Sequence, residues 1–190
     1  MKNALIIIDI QNDYFEGGKN ELHLPEQAAA NAKKALEFSR SSNMPVFHVQ
    51  HISIQQGAAF FLPDSTGAEI HQSVAPRIGE KVFIKHAPNA FFQTGLSDEL
   101  LRQNISHLVI CGMMSHMCID TTVRATKDFG FSVTVLEDAC TTKDLIWHDT
   151  AIPAETVHGT IMASLTGVFA QVLQTDKFIT NTTALNGKNL

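Results

Sequence analysis

No apolar run in this chain comes near the roughly 18 residues that a membrane-spanning helix needs, so no membrane association is expected. Cysteine is scarce: Cys111, Cys118 and Cys140 form an odd set without C-x-x-C spacing. That argues against a disulfide framework or a zinc knuckle and for a reducing, cytoplasmic setting. Lys and Arg are nowhere clustered and the net charge is −5, which argues against a nucleic-acid partner. No G-x-G-x-x-G follows the first strand-like run, so a dinucleotide site is not expected. Nine histidines are present, but no H-E-x-x-H or paired-carboxylate cluster accompanies them, and neither metal nor other cofactor is expected. His48 and His51 sit three apart at a strand end, which points them to opposite faces. Met1 to Asp9 superficially mimics an export signal, yet its apolar core is only Ala4 to Ile8 before Asp9 intervenes, so export is not expected.

What is present suits an ordinary globular chain, with 44% hydrophobic and 17% charged residues in a length of 190. That length fits one domain, residues 1–180, followed by a polar tail, 181–190, expected to fray. Leu5 to Ile10 is a near-continuous apolar run of the kind buried on both faces of a parallel sheet. Strand-like runs recur at Pro45 to Gln50, Lys81 to Lys85, Leu108 to Ile110, Phe131 to Leu136 and Val168 to Leu173. Helical patterns lie between them: Pro25 to Ser42, Ser97 to Gln103 with a Ser97-Asp98-Glu99 cap, Ser115 onward, and Ile152 to Ser164. This alternation predicts an α/β fold, a three-layer αβα sandwich around a Rossmann-like parallel sheet of about six strands. The irregular stretch between residues 51 and 80, with its Ala58-Ala59-Phe60-Phe61-Leu62 patch, could cover this chain's own site or a neighbour's. A homo-oligomer, dimer or tetramer, is therefore expected.

In such a sheet, ligands bind beyond the carboxyl ends of the strands. Asp9 ends the first strand, Lys85 ends the third, and Cys118 follows the fourth. Ile119, Thr122, Val123 and Thr126 share one helical face, which places Cys118 near a helix N-terminus. There the macrodipole favours a thiolate. Asp9 could take the thiol proton and Lys85 could stabilise the resulting anion. The bland readings are a turn cap for Asp9, a solvated strand end for Lys85 and an inert apolar cysteine, as Cys111 and Cys140 are read.

Three motifs sharpen this: Ile8-Asp9-Ile10-Gln11-Asn12-Asp13-Tyr14-Phe15, then Ile84-Lys85 with Asn89-Ala90-Phe91, then Gly112-Met113-Met114-Ser115-His116-Met117-Cys118 with Thr121-Thr122-Val123-Arg124-Ala125. In that order and spacing the chain resembles the isochorismatase-like cysteine hydrolases, a superfamily that includes nicotinamidases, N-carbamoylsarcosine amidohydrolases and ureidoacrylate hydrolases. The resemblance covers about residues 4 to 179. It implies a sheet in the order 3-2-1-4-5-6 and an Asp-Lys-Cys triad of Asp9, Lys85 and Cys118. It also implies a cis peptide between Met113 and Met114, with the backbone N–H groups of Met114 and Cys118 forming an oxyanion hole. The reaction implied is hydrolysis of a small molecule through a thioester.

The metal-binding Asp-x-His pattern of nicotinamidases is missing from Val49-Gln50-His51-Ile52-Ser53, so neither that metal nor nicotinamide specificity is carried over. With Cys118 present, an amide or ureido C–N bond is the expected target. The alternatives are a vinyl ether or ester on the same scaffold, or a non-catalytic thiol sensor. Gln11, Phe15, Phe91 and Met117 are the candidate pocket side chains, with plain core packing as the alternative for the aromatics.

Overall fold

Six strands form one parallel sheet in the order β3-β2-β1-β4-β5-β8, in a computed structural model that describes residues 2–186. The strands are β1 (Asn3–Ile8), β2 (Val46–His51), β3 (Lys81–Lys85), β4 (His107–Met113), β5 (Ser132–Thr141) and β8 (Gln171–Leu173). The expected order holds. The last strand is the eighth only because a small antiparallel hairpin, β6 (Leu145–Trp147) and β7 (Thr150–Ile152), intervenes. Central β1 is buried from Ala4 to Ile8 and β4 from Leu108 to Met113, as strands covered on both faces must be.

Helix α1 (Pro25–Ser41) turns Ala28, Ala32, Ala35 and Leu36 inward, and its small residues allow close approach to the sheet. It packs beside α5 (Thr175–Asn186), while α3 (Asp120–Ala125) packs beside α4 (Ala154–Leu165). Right-handed crossovers from β1 to β2 and from β4 to β5 run in opposite directions along the sheet, which puts α1 and α3 on opposite faces.

Two local expectations change. Helix α2 (Leu96–Arg102) begins one residue early, with left-handed Gly95 as its N-cap. Thr94 Oγ1, not Ser97, accepts from the Leu96 N–H, at 3.2 Å. The chain from residue 181, expected to fray, continues as α5 to Asn186. Buried Phe178 anchors that helix edge-on against Phe38, 5.8 Å between centroids. Thr182 and Thr183 donate back to the carbonyls of Phe178 and Ile179. Residues 187–190 of the expected tail lie outside the described residues.

The carboxyl edge of the sheet is where the pairing matters. Ile8 pairs with Val49 on one side and Gly112 on the other, and His51 pairs with Lys85. Gly112 has φ 134°, and a β-carbon there would stand 1.9 Å from the Ile8 carbonyl oxygen. Only glycine permits β1 and β4 to meet this closely at their ends.

Candidate active site

Asp9 leaves β1 in the left-handed region, φ 52°, uncommon for a residue with a β-carbon and frequent at functional sites. Its N–H is held by the Val49 carbonyl at 3.0 Å. Lys85, two strands away at the sheet edge, reaches back so that Nζ stands 2.7 Å from Asp9 Oδ2, with both side chains fully buried. The same ammonium lies 3.2 Å from Cys118 Sγ, 3.0 Å from His51 Nδ1 and 3.0 Å from the Ala87 carbonyl. Apart from that ion pair, neither Asp9 oxygen has an aligned hydrogen-bond donor among the described residues.

Cys118 sits in a π-helical turn, Ser115–Ile119, that leads into α3. The peptide between Met113 and Met114, at the entry to this turn, is cis. The Met114 carbonyl accepts from Met117 and Ile119 at 3.1 and 3.2 Å, which fixes the loop that carries the cysteine. Ile119, Thr122, Val123 and Thr126 are all buried, as their shared face requires.

The electrostatics differ from a thiolate resting on a helix dipole. The helix after Cys118 is only six residues long, and the thiol is 6% exposed. Burial first, and then the Asp9 charge, push the Cys118 thiol well above its ordinary range, with Lys85 opposing. Burial likewise raises the Asp9 carboxyl against the pull of Lys85. For Lys85, burial works to lower the ammonium, but the charges of Asp9 and Cys118 outweigh it and hold the group above its usual value. Lys85 Nζ, 2.7 Å from Asp9 Oδ2 and 3.2 Å from Cys118 Sγ, is placed to offset negative charge on either group.

The candidate pocket residues divide. Gln11 is fully buried, and its amide is spent on the backbone of its own fold: Nε2 donates to His51 and Ala68 carbonyls, and Oε1 accepts from the His51 N–H. Phe15 stacks on His71, centroids 3.8 Å apart. Phe91 packs against Phe129 and Phe131, just before β5 begins, at the opposite edge of the sheet from Cys118. Met117, one residue from the thiol, is partly exposed. The Phe60-Phe61 stretch folds onto its own chain, Phe61 meeting Tyr14 edge-on at 4.7 Å. A cleft of about 400 Å³ lies elsewhere, beside Cys140 and His158, and includes none of Asp9, Lys85 and Cys118.

Sequence reasoning missed two residues. Asp13 accepts from the N–H groups of Phe61 and Lys19 and ties the β2–β3 connection to the loop after β1. His51 touches Lys85, a contact that only the β2–β3 register makes visible. His48 turns away from His51 and meets Glu80 at 3.0 Å. Among the described residues no group of three or more His, Cys, Asp or Glu side chains could hold a metal ion.

The model of the isochorismatase domain family matches residues 3–168. The chain belongs to the isochorismatase family. It is 51% identical over 179 residues to YddQ of Bacillus subtilis, an uncharacterized isochorismatase family protein, covering 94% of this chain and 99% of that one. A crystal structure from Oleispira antarctica superposes with a TM-score of 0.90 at 43% identity, covering 94% of this chain and 96% of the other. A streptothricin hydrolase of Streptomyces noursei is 30% identical over 146 residues, 75% of this chain and 50% of that protein. Members of the family are hydrolases, and this isochorismatase-family chain is one.

Proposed function

We propose that this protein is a cysteine hydrolase that cleaves a small amide or ureido C–N bond through a thioester. The observation that carries the reading is one buried ammonium within reach of both a carboxylate and a thiol: Lys85 Nζ lies 2.7 Å from Asp9 Oδ2 and 3.2 Å from Cys118 Sγ. Burial raises the carboxyl, which makes Asp9 a stronger base than an exposed aspartate. The Cys118 proton passes to Asp9 as sulfur attacks the carbonyl carbon. Lys85 holds the negative charge as it moves from carboxylate to sulfur. Backbone N–H groups of Met114 and Cys118 hold the oxyanion. Asp9 then returns the proton to the leaving amine, and the C–N bond breaks. Water, deprotonated by the same carboxylate, hydrolyses the thioester and frees the thiol. Met117 and Phe15 border the substrate. Three free thiols fit a reducing cytoplasm, and exposed Ile146 and Trp147 on the hairpin fit assembly into a homo-oligomer.

A screen of small amides and ureides with ammonia detection tests this, with mass spectrometry for a covalent adduct on Cys118. Turnover retained by Cys118→Ala on a validated substrate would overturn it. Release of pyruvate or an alcohol without ammonia would move the target to a vinyl ether or ester.

A further inference from the structure

The Lys85 ammonium has three N–H bonds but four acceptors: Asp9 Oδ2, His51 Nδ1, the Ala87 carbonyl and Cys118 Sγ. These acceptors are unequal. Asp9 is charged and nearest, whereas a neutral thiol sulfur is a weak acceptor. Left to those two, the ammonium would settle on the carboxylate and leave the sulfur. His51 and Ala87 are neutral acceptors of fixed position that share the ammonium with Asp9.

His51 is itself held. Its backbone N–H donates to Gln11 Oε1 at 2.7 Å and its carbonyl accepts from Gln11 Nε2 at 2.8 Å, so one buried amide grips both atoms. Its Cα pairs with that of Lys85 across adjacent strands, which brings the two side chains to one face of the sheet edge. Its ring rests near Phe61, centroids 6.0 Å apart. An ammonium has no lone pair, so Nδ1 must accept and the ring proton must sit on Nε2. Burial, then the Lys85 and His86 charges, hold the ring down at about 4, so it keeps that lone pair at neutral pH.

Resting on the hydrolase reading above, we propose that His51 is a positioning residue that holds the Lys85 ammonium between Asp9 and Cys118. With two N–H bonds committed to His51 and Ala87, one remains to follow the negative charge. It faces Asp9 while the thiol is protonated and Cys118 once the proton has crossed. Gln11, through its grip on the His51 backbone, sets the place from which the ring acts.

The test needs no substrate. Cys118 is alkylated with iodoacetamide across pH, with the Cys118→Ala protein as background, in wild-type, His51→Leu and His51→Asn proteins. His51→Leu removes the acceptor, so the ammonium is drawn to Asp9. Alkylation at neutral pH should fall about tenfold, and its pH profile should move up by about one unit. His51→Asn, whose side-chain oxygen can accept from Lys85, should restore most of both. On any amide found in the screen, His51→Leu should lower kcat with KM little changed. A folded His51→Leu protein with wild-type rate and profile would overturn the proposal, as would a His51→Asn protein no better than His51→Leu. Should His51→Leu fail to fold, His51→Ala with added imidazole decides it. Rescue by imidazole supports the positioning role, and unimpaired alkylation without it overturns the role. If Cys118→Ala keeps turnover, the hydrolase reading falls while the alkylation series still reads the hold of His51 on Lys85.

Discussion

Lys85 Nζ and Asp9 Oδ2 stand 2.7 Å apart with both side chains excluded from water. Taking two charges out of water is costly, and the pair recovers that cost only while both partners are present. Lys85→Met should therefore destabilise the protein by about 3 to 5 kcal/mol, because an uncompensated carboxylate stays buried. The double variant Asp9→Asn, Lys85→Met should be more stable than the Lys85→Met single variant, yet just as inactive. Urea unfolding of the four members of the cycle measures this. Additive effects of the two changes would show that the pair does not couple.

Gly112 governs the distance between the two strands that carry Asp9 and the Cys118 turn. A β-carbon would sit 1.9 Å from Ile8 O, at a backbone φ of 134° that other residues rarely adopt. Backbone cannot swing aside as a long side chain can. Gly112→Ala should cost at least about 1 to 3 kcal/mol and remove activity even in the folded fraction, since separating β1 from β4 draws Asp9 away from Cys118. Thermal unfolding together with Cys118 alkylation checks both parts. A variant with native stability would mean that the strands can part freely there.

The sheet was legible because its strands read as short apolar runs, and the meeting of Asp9, Lys85 and Cys118 was legible because each ends or follows such a run. The hairpin at Leu145–Ile152 was not, because Ile146 and Trp147 are exposed and follow no core-facing alternation. His51 was misjudged for a different reason. Periodicity along one strand correctly separates it from His48, but what it touches depends on pairing with β3, more than thirty residues away in the chain. Gln11 looked like a substrate contact because it is polar and lies two residues after Asp9. Its burial with every amide partner taken is a tertiary fact. The Cys118 thiol misleads most, since a helix N-terminus argues for a lowered pKa while burial and Asp9 raise it.

Asp13 is the knot of the loops around the site. Its Oδ2 accepts from Phe61 N–H at 2.6 Å and its Oδ1 from Lys19 N–H at 3.1 Å. Gly67 lies so close that an added β-carbon would stand 2.2 Å from Oδ1. Asp13→Ala would leave the buried Phe61 N–H without its acceptor, at about 1 to 3 kcal/mol. It should also release the 60–67 stretch from the 13–20 loop. Limited proteolysis should then cut between residues 54 and 67 faster than in the wild type, with Asp13→Asn intermediate because its amide still offers one acceptor oxygen. Unchanged cleavage would show that Phe61 packing alone holds the loop.

Acid should destabilise the protein in two separate windows, to one of which His51 contributes and to the other Glu80. The His51 ring titrates near 4 in the fold, against about 6.5 when the chain is unfolded. Between those values the unfolded state binds a proton that the folded state refuses, so stability falls as pH drops from about 6.5 to about 4. Glu80 shifts in the same direction, in a lower window. Although burial works to raise it, a bidentate Arg40 at 2.8 Å, the Arg77 N–H and His48 hold its carboxyl down at about 2. Its stabilisation is complete above about 4.5 and is lost as pH falls toward about 2. His51→Asn should therefore lessen the loss across the upper window and leave the lower. His48, His71, His107, His116 and His158, also held down by burial, still contribute to the upper one. Glu80→Gln, by contrast, should weaken the protein at neutral pH and lessen the loss across the lower. Urea midpoints taken at pH 7, 4 and 2.5 separate the two. If Glu80→Gln lost as much stability between pH 4 and 2.5 as the wild type does, the Arg40–Glu80 pair could not be the source of the lower window.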